Sequence, residues 1–444
     1  MSHALPEFRG FRFPHIKRLW TALCQEPELP QLDRWLSKTL RDEKAFGRRD
    51  RLYYADVLFA AMRYLQPIVL LEAGFKAGDV KQFPALYQAE DAAMTSVTLW
   101  QSVQALPVEV VLFWLAKLTD TGGDWPREIT DLAERHQFWT NVKQVLNKAN
   151  MNDVLQGWRP RWQPLLAARG LRSGWSQELL HPFVQGQNTR PPLWLRVQRP
   201  EDVAPVAAQI IGQGYDLEQD GDALKVIGER GIYQLPAWQE GKLEIQDWAS
   251  QQISRAVDAQ PGEQVWDACA GGGGKTLAMA SAMNNKGAVT ATDIREYKLE
   301  EIKKRAKRAG WFNVRRFPWD AEAPLRLPKE VARQGGFDRV LVDAPCTSSG
   351  TWRRNPDARW RLDETQLTEL LALQDKILHN AAPAVKVGGR LVYATCSWLE
   401  AENEQRVEAF LANNAGFTLE QQQVVGFPHQ NADTMFYAVL TRVA

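Results

Sequence analysis

From about residue 11 to residue 155 apolar side chains recur three and four positions apart, as at Leu52, Ala55, Leu58, Ala61, Met62 and Leu65, with few strand-like runs. That spacing covers one face of a helix, so a helical bundle is predicted there. Gly122-Gly123-Asp124-Trp125-Pro126 interrupts the pattern and predicts a loop ahead of another helix near residues 128–146. Near Thr189 the pattern changes. Pro191 and Pro192 precede a strand-like 193–197, a helical 203–212, and strand candidates at 223–227 and 231–235, which together predict a small α/β module. A helix over 246–259 follows, and from Gln264 strands and helices alternate as in a doubly wound parallel sheet.

In that alternating part the predicted strands are 265–268, 289–292, 314–317, the run after Phe337, and 388–395, with a closing pair at 417–425 and 435–441. Gly271 to Gly274 form the first turn, and 276–283 the helix after it. A second helix buries Leu299, Ile302, Ala306 and Ala309, is closed by Gly310, and carries Lys298, Lys303, Lys304, Arg305, Lys307 and Arg308 outside. Val340, Leu341 and Val342 are apolar without alternation, as in a strand buried on both faces. The expected fold is α/β: a Rossmann-like domain over 246–444, preceded by a helical domain over 1–155, a connecting segment over 156–188 and a small α/β module over 189–245. In the connecting segment Trp158, Trp162 and Trp175 are interleaved with arginine and proline. Base stacking suits that composition, and so does a packed domain junction, the commoner arrangement.

Composition adds limits. At 444 residues the chain is long enough for about two to four domains. A net charge of +1 gives no global electrostatic signature, so affinity for nucleic acid has to come from local basic patches. The N-terminal residues lack the pattern of a secretory signal, and no apolar run reaches the roughly 18 to 20 residues of a membrane span, so a cytoplasmic protein without membrane contact is expected. The four cysteines, Cys24, Cys269, Cys346 and Cys396, have neither disulfide-framework nor CxxC zinc spacing. They read as free thiols, and no metal site is expected.

The chemistry gathers at strand ends, where open α/β sheets bind ligands. Asp343 and Cys346 follow one strand in FDRVLVDAPCTSSGTWRRNP, and Cys396 follows the next in GGRLVYATCS, so two thiols face one crevice. The run CAGGGGKT ends like a P-loop, but the glycine required five positions before the Gly-Lys pair is Cys269, and the match fails. A glycine turn there can instead let the backbone approach a nucleoside cofactor. Asp293 lies about twenty residues on, where an acid meets ribose hydroxyls. Three acids at strand ends, Asp293, Asp320 and Asp343, suit a cofactor with hydroxyls, an amino group and a positive charge, as S-adenosylmethionine has. Arg353-Arg354-Asn355-Pro356, with Arg359 and Arg361, reads as a phosphate clamp beside the thiols or as a solvated loop.

DACAGGGGKT, ATD, DAPCTSSGTWRRNPD and VYATCSWLEAEN together resemble the Sun/Fmu-type RNA cytosine-5 methyltransferases, from Gln246 to the C-terminus. The module and the helical part, with DRWLS at Asp33 and GRRDR at Gly47, resemble that group's N-terminal RNA-binding regions more loosely. The resemblance implies an RNA substrate, ribosomal RNA in particular, with 5-methylcytidine as the product; a monomer is expected. It implies that Cys396 attacks carbon 6 of cytosine, that Cys346 helps release the product, and that Asp343 contacts the base. It also implies that Cys269, Ala270, Gly271, Gly272, Gly273, Gly274 and Lys275, with Asp293, Asp320 and Asp343, hold S-adenosylmethionine. The chain departs from the family pattern at Gly271-Gly272, where Ala-Pro is usual, at Thr347, where serine is usual, and at Asp433-Thr434-Met435-Phe436, where Asp-Gly-Phe-Phe is usual. The expected enzyme is an RNA cytosine-5 methyltransferase. One rival is a DNA cytosine-5 methyltransferase, whose nucleophile would be Cys346; another is a non-catalytic RNA-binding assembly factor, which would need neither thiol.

Overall fold

The computed structural model describes residues 10–444 apart from 44, 123–127, 130, 147 and 228–230. Two units are distinguished, Met1–Arg190 with Trp352–Gln366, and Pro191–Thr351 with Leu367–Ala444.

The second unit holds two sheets. The smaller is antiparallel, in the order β2-β3-β1-β4, from β1 (Leu193–Val197), β2 (Asp216–Asp220), β3 (Ala223–Ile227) and β4 (Leu243–Ile245), with helix Val203–Gly212 as predicted. Gly231 to Leu235 is not the predicted strand: a 3-10 turn covers Ile232–Gln234. Ile232 and Leu235 are both buried and three apart, while Tyr233 between them is exposed, which is the spacing of a turn and not of a pleat. The edge strand β2 has no sequence signal, because four of its five residues are polar.

The larger sheet contains β5 (Gln264–Asp267), β6 (Ala288–Asp293), β7 (Val314–Pro318), β8 (Phe337–Asp343), β9 (Val385–Thr395), β10 (Phe417–Val425) and β11 (Met435–Arg442), in the order β10-β11-β9-β8-β5-β6-β7. The five strands β5 to β9 run parallel, and β11 and β10 close the edge antiparallel. This is the expected α/β architecture. Val340, Leu341 and Val342 are fully buried between helix layers, one including Ala280 and the other Ile377 and Leu378.

The two sheets are joined by a buried ion cluster. Glu244 of β4 is 1% exposed and accepts from Arg305 (2.8 Å) and Arg308 (2.5 Å) of helix Glu296–Ala309. Two cations of the predicted basic face are therefore turned inward, leaving Lys303, Lys304 and Lys307 exposed.

The first unit is helical throughout its described regular elements, from helix Phe13–Leu23 to helix Gln177–Gly186. Helix Leu32–Asp42 buries Leu32, Leu36 and Leu40, one per turn, while Val108–Thr119 is apolar nearly all round and lies in the core. The helix expected near 128–146 spans Leu132–Val145; in the loop expected before it, residues 123–126 lie outside the described residues. No single helix among the described residues is long and apolar enough to cross a membrane.

Trp158 and Trp162 are buried beside Trp352, with ring centroids 5.3 Å apart between the first two and 4.6 Å apart between Trp162 and Trp352. Two arginines of the run read as a phosphate clamp belong to this interior, while Arg354 and Arg361 are half-buried. Arg353 and Arg359 are buried, and Arg359 donates to the carbonyls of Arg63 (3.1 Å) and Gln187 (3.2 Å) and to Asn188 Oδ1 (3.1 Å). Arg63 in turn donates to the Arg353 carbonyl at 2.8 Å. Burial pushes Arg359 down to about 9 and Arg63 to about 10, so both stay charged near neutrality. Their forks satisfy carbonyls that helix ends leave over, so no phosphate reaches them without opening the core.

Arg359→Met is expected to destabilise the protein by about 2–4 kcal/mol, the cost of leaving several buried carbonyls unpaired. Denaturant unfolding measures this, and the salt slope of RNA binding should not move. A flattened slope at unchanged stability would restore the phosphate-clamp reading.

Candidate active site

β5 pairs with β6 on one side and β8 on the other, so the chain reverses its direction of winding between β5 and β8. The crevice at such a switch opens at the carboxyl ends of the strands. Asp267 ends β5, Asp293 ends β6, Asp343 ends β8, and Cys396 directly follows β9.

The glycine turn leads from β5 into helix Gly274–Ala282. Gly271 and Gly273 have φ of +53° and +81°, and a Cβ on Gly273 would lie 2.6 Å from Ile302 Cγ1, so the turn needs glycine there for backbone sign and for space. The turn's amides are less available than the sequence suggests. Gly271 N–H donates to Asp293 Oδ2 at 2.9 Å, and Gly273 N–H to the Ala270 carbonyl at 2.8 Å. Arg305 donates to the Gly272 carbonyl. Cys269 packs against the core, and burial holds its thiol well above the ordinary range.

Asp293 is fully engaged as it stands. Its Oδ1 accepts from the Arg295 amide and Nε, both at 2.9 Å, and its Oδ2 from Arg295 Nη2 at 3.1 Å besides the Gly271 amide. Burial raises this carboxyl, but the hydrogen bonds and charge of Arg295 overcome it and hold Asp293 below its usual value. Ribose hydroxyls could use these oxygens only after the Arg295 fork swings away. Asp320 is exposed beyond β7, accepting the Glu322 amide at 3.0 Å. Asp267 is buried: its Oδ2 accepts from Thr276 Oγ1 at 2.6 Å, while Oδ1 has no partner among the described residues. Burial pushes it up to about 7.

Lys275 Nζ sits 2.7 Å from Asp343 Oδ2, and that carboxylate outweighs the lowering effect of burial on the lysine. Cys346 and Cys396 face each other with sulfurs 3.2 Å apart, as free, half-buried thiols. Their proton is unequally held. Cys396 lies below its ordinary value, chiefly through the hydrogen bond from Cys346, whereas Cys346 lies well above its own, through that same bond and then burial.

Residues the sequence reading gave no role hold the thiols in place. Ser348 has φ of +57°, a rare conformation outside glycine, and its hydroxyl lies 3.6 Å from Cys396 Sγ. Gly350 N–H donates to the Cys396 carbonyl and Thr434 N–H to the Gly350 carbonyl, both at 2.9 Å. Asn403 accepts from Thr395 Oγ1 at 2.5 Å and donates to the Ser397 carbonyl at 3.0 Å. Glu402 accepts from Thr347, and the Glu-Asn pair six and seven residues after Cys396 was the available signal. Among the described residues no group of three His, Cys, Asp or Glu side chains could hold a metal.

The family model for 16S rRNA methyltransferase RsmB/F matches residues 254–441. A relative from Serratia proteamaculans, ribosomal RNA small subunit methyltransferase B, is 33% identical over 321 residues, covering 69% of this chain and 71% of its own length. The crystal structure of PH0851 superposes with a TM-score of 0.69 at 24% identity, over 96% of this chain and 97% of that one. A methyltransferase homologue from Pyrococcus horikoshii gives a TM-score of 0.54 at 22% identity, over 67% of this chain and 100% of its own. These two likenesses concern the fold. The chain belongs to the RsmB/F family of ribosomal RNA methyltransferases, enzymes that depend on S-adenosylmethionine.

Proposed function

We propose that this enzyme methylates carbon 5 of a cytosine in the ribosomal RNA of the small subunit, through a covalent bond between Cys396 and carbon 6 of the base. The observation that carries this reading is the thiol pair, whose sulfurs lie 3.2 Å apart at the ends of neighbouring strands. Carbon 5 of cytosine is a poor nucleophile. Addition of a thiolate to carbon 6 turns the ring into an enamine that is nucleophilic at carbon 5, and splits one hard step into easier ones. The depressed Cys396 thiol supplies that thiolate.

Asp343, held by Lys275, is the residue we assign to the edge of the cytosine, where its carboxylate accepts from the exocyclic amino group and holds the base in place. The base has to leave its stack to reach half-buried sulfurs. Residues Cys269 to Lys275 with Asp293 and Asp320 are assigned to the cofactor. The unpartnered Oδ1 of buried Asp267 and the acids beside it fit a ligand bearing an amino group and a positive charge. Bound there, S-adenosylmethionine supplies the methyl group from its sulfonium. Cys346, the second thiol, is assigned to the exit: having given its own proton to solvent, its thiolate takes the carbon 5 proton, and Cys396 leaves carbon 6 as the thiolate that began the cycle. The exposed Lys303, Lys304 and Lys307 suit RNA phosphates. A monomer in the cytoplasm completes the reading.

Cys346→Ala is expected to accumulate a denaturation-resistant protein–RNA adduct in the presence of S-adenosylmethionine, while Cys396→Ala gives neither adduct nor product. Denaturing gels of both variants with the RNA decide it, and an adduct only in Cys396→Ala would reverse the assignment towards the DNA-type mechanism.

Asp293→Ala is expected to weaken cofactor binding by about 1–3 kcal/mol, the scale of a charge-assisted hydrogen bond, and to leave RNA affinity unchanged. Separate titrations of cofactor and RNA test it. Equal loss of both would mean that Asp293 supports the fold and not the ligand.

A further inference from the structure

Glu402 is fully buried, and its side chain grips the loop that carries Cys346. Oε1 accepts from the Thr347 amide at 2.8 Å and from Gln374 Nε2 at 3.0 Å, and Oε2 accepts from Thr347 Oγ1 at 2.6 Å. Gln374 Nε2 also donates to the Pro345 carbonyl at 2.9 Å, so Glu402 reaches both chain neighbours of Cys346, one directly and one through Gln374. Each of these contacts brings a hydrogen to the carboxyl oxygens, which is the environment of a carboxylate. No ion pair compensates it among the described residues, so its field falls on what lies nearest.

The two sulfurs do not feel that field equally. Cys396 faces Asp343, which is ion-paired with Lys275 at 2.7 Å but remains the stronger influence of the two on this sulfur, and the hydroxyl of Ser348. Cys346 faces Cys396, Glu402 and Tyr393, and the tyrosine hydroxyl donates to the Glu402 carbonyl at 2.7 Å. Beyond Tyr393, Arg406 and Asp375 form their own pair at 2.6 Å. The Ser348 amide opposes the trend by donating to Cys346. The balance is a carboxylate without an ion pair beside one sulfur and an ion-paired carboxylate beside the other.

We propose that Glu402 is a positioning residue that keeps the shared proton of the thiol pair on Cys346 and so leaves the thiolate on Cys396. The proposal deepens the reading of Cys396 as nucleophile and rests on it for its meaning in catalysis. Charge and hydrogen bonding then select which of two adjacent thiols attacks. The raised Cys346 and lowered Cys396 agree with it, with the Glu402 charge among the causes that raise Cys346.

Iodoacetamide alkylation of the full-length protein, without RNA or cofactor, followed by peptide mass spectrometry across neutral and alkaline pH, tests this apart from catalysis. The wild type should react first at Cys396, with Cys346 lagging until alkaline pH, because the thiolate is the reactive form. In Glu402→Gln, Cys346 should react about tenfold faster at neutral pH, the change produced by moving a thiol midpoint down by about one pH unit. Glu402→Asp, which keeps the charge, should restore the lag. Thr347→Val removes a hydrogen bond but keeps the carboxylate, and should leave both profiles unmoved. Equal shifts in Glu402→Gln and Thr347→Val would reduce Glu402 to a loop tether and overturn the proposal. So would preferential reaction of wild-type Cys346 at neutral pH, a result that needs no variant to fold. Failure of the adduct experiment with this alkylation pattern intact would instead fault the reaction assignment.

Discussion

The active site depends on one backbone position where no side chain fits. A Cβ on Gly350 would lie 1.6 Å from the Thr434 carbonyl oxygen and 3.1 Å from that of Cys396. The missing side chain lets three loops meet: one after β8, one after β9 and one before β11. They are sewn together by the Gly350 amide to the Cys396 carbonyl and the Thr434 amide to the Gly350 carbonyl. The left-handed Ser348 two residues earlier turns the first loop back on itself. Because the joint ties the loops after β8 and β9 to each other, the sulfurs of Cys346 and Cys396 come together although fifty residues separate them.

That joint also explains how the departure at Asp433-Thr434 is tolerated. Thr434 contributes its backbone to Gly350, and the Asp433 amide donates to Asp247, at the start of helix Trp248–Val257, at 3.2 Å. Main-chain contacts do not depend on side-chain identity, so a position usually glycine can carry threonine while the loop keeps its course.

What could be read from the sequence follows from which contacts are local. Val340 to Val342 were legible because a strand covered on both faces has to be apolar throughout. Asp343, Cys346 and Cys396 were legible because strand ends in a doubly wound sheet share one edge. Strand β2 was not, since an edge strand takes its hydrogen bonds from β3 and needs no apolar face. Arg353 and Arg359 were misread because arginine is normally exposed; their partners are carbonyls such as that of Gln187, 172 positions from Arg359. Glu402 stayed hidden for the same reason, as its partner Thr347 lies 55 positions away. The basic helix was half legible: its apolar stripe marks the buried side, but only Glu244 on another sheet shows that Arg305 and Arg308 turn inward.

Two buried carboxyl groups of this unit differ in the donors and neighbours that surround them. Glu402 receives three hydrogen bonds and has no acid among its hydrogen-bond partners. Asp267 receives one, from Thr276, and shares its surroundings with Asp343 and Asp293, whose charges add to the burial that pushes it up to about 7. The first grips the loop that carries Cys346. The second changes charge near neutrality: below about 7 it is largely neutral, and the cleft's acidic charge rests on Asp293 and Asp343, which have Arg295 and Lys275 as partners. Above it, a third carboxylate appears with one oxygen unpartnered. The attraction of this cleft for a cation therefore grows as Asp267 loses its proton.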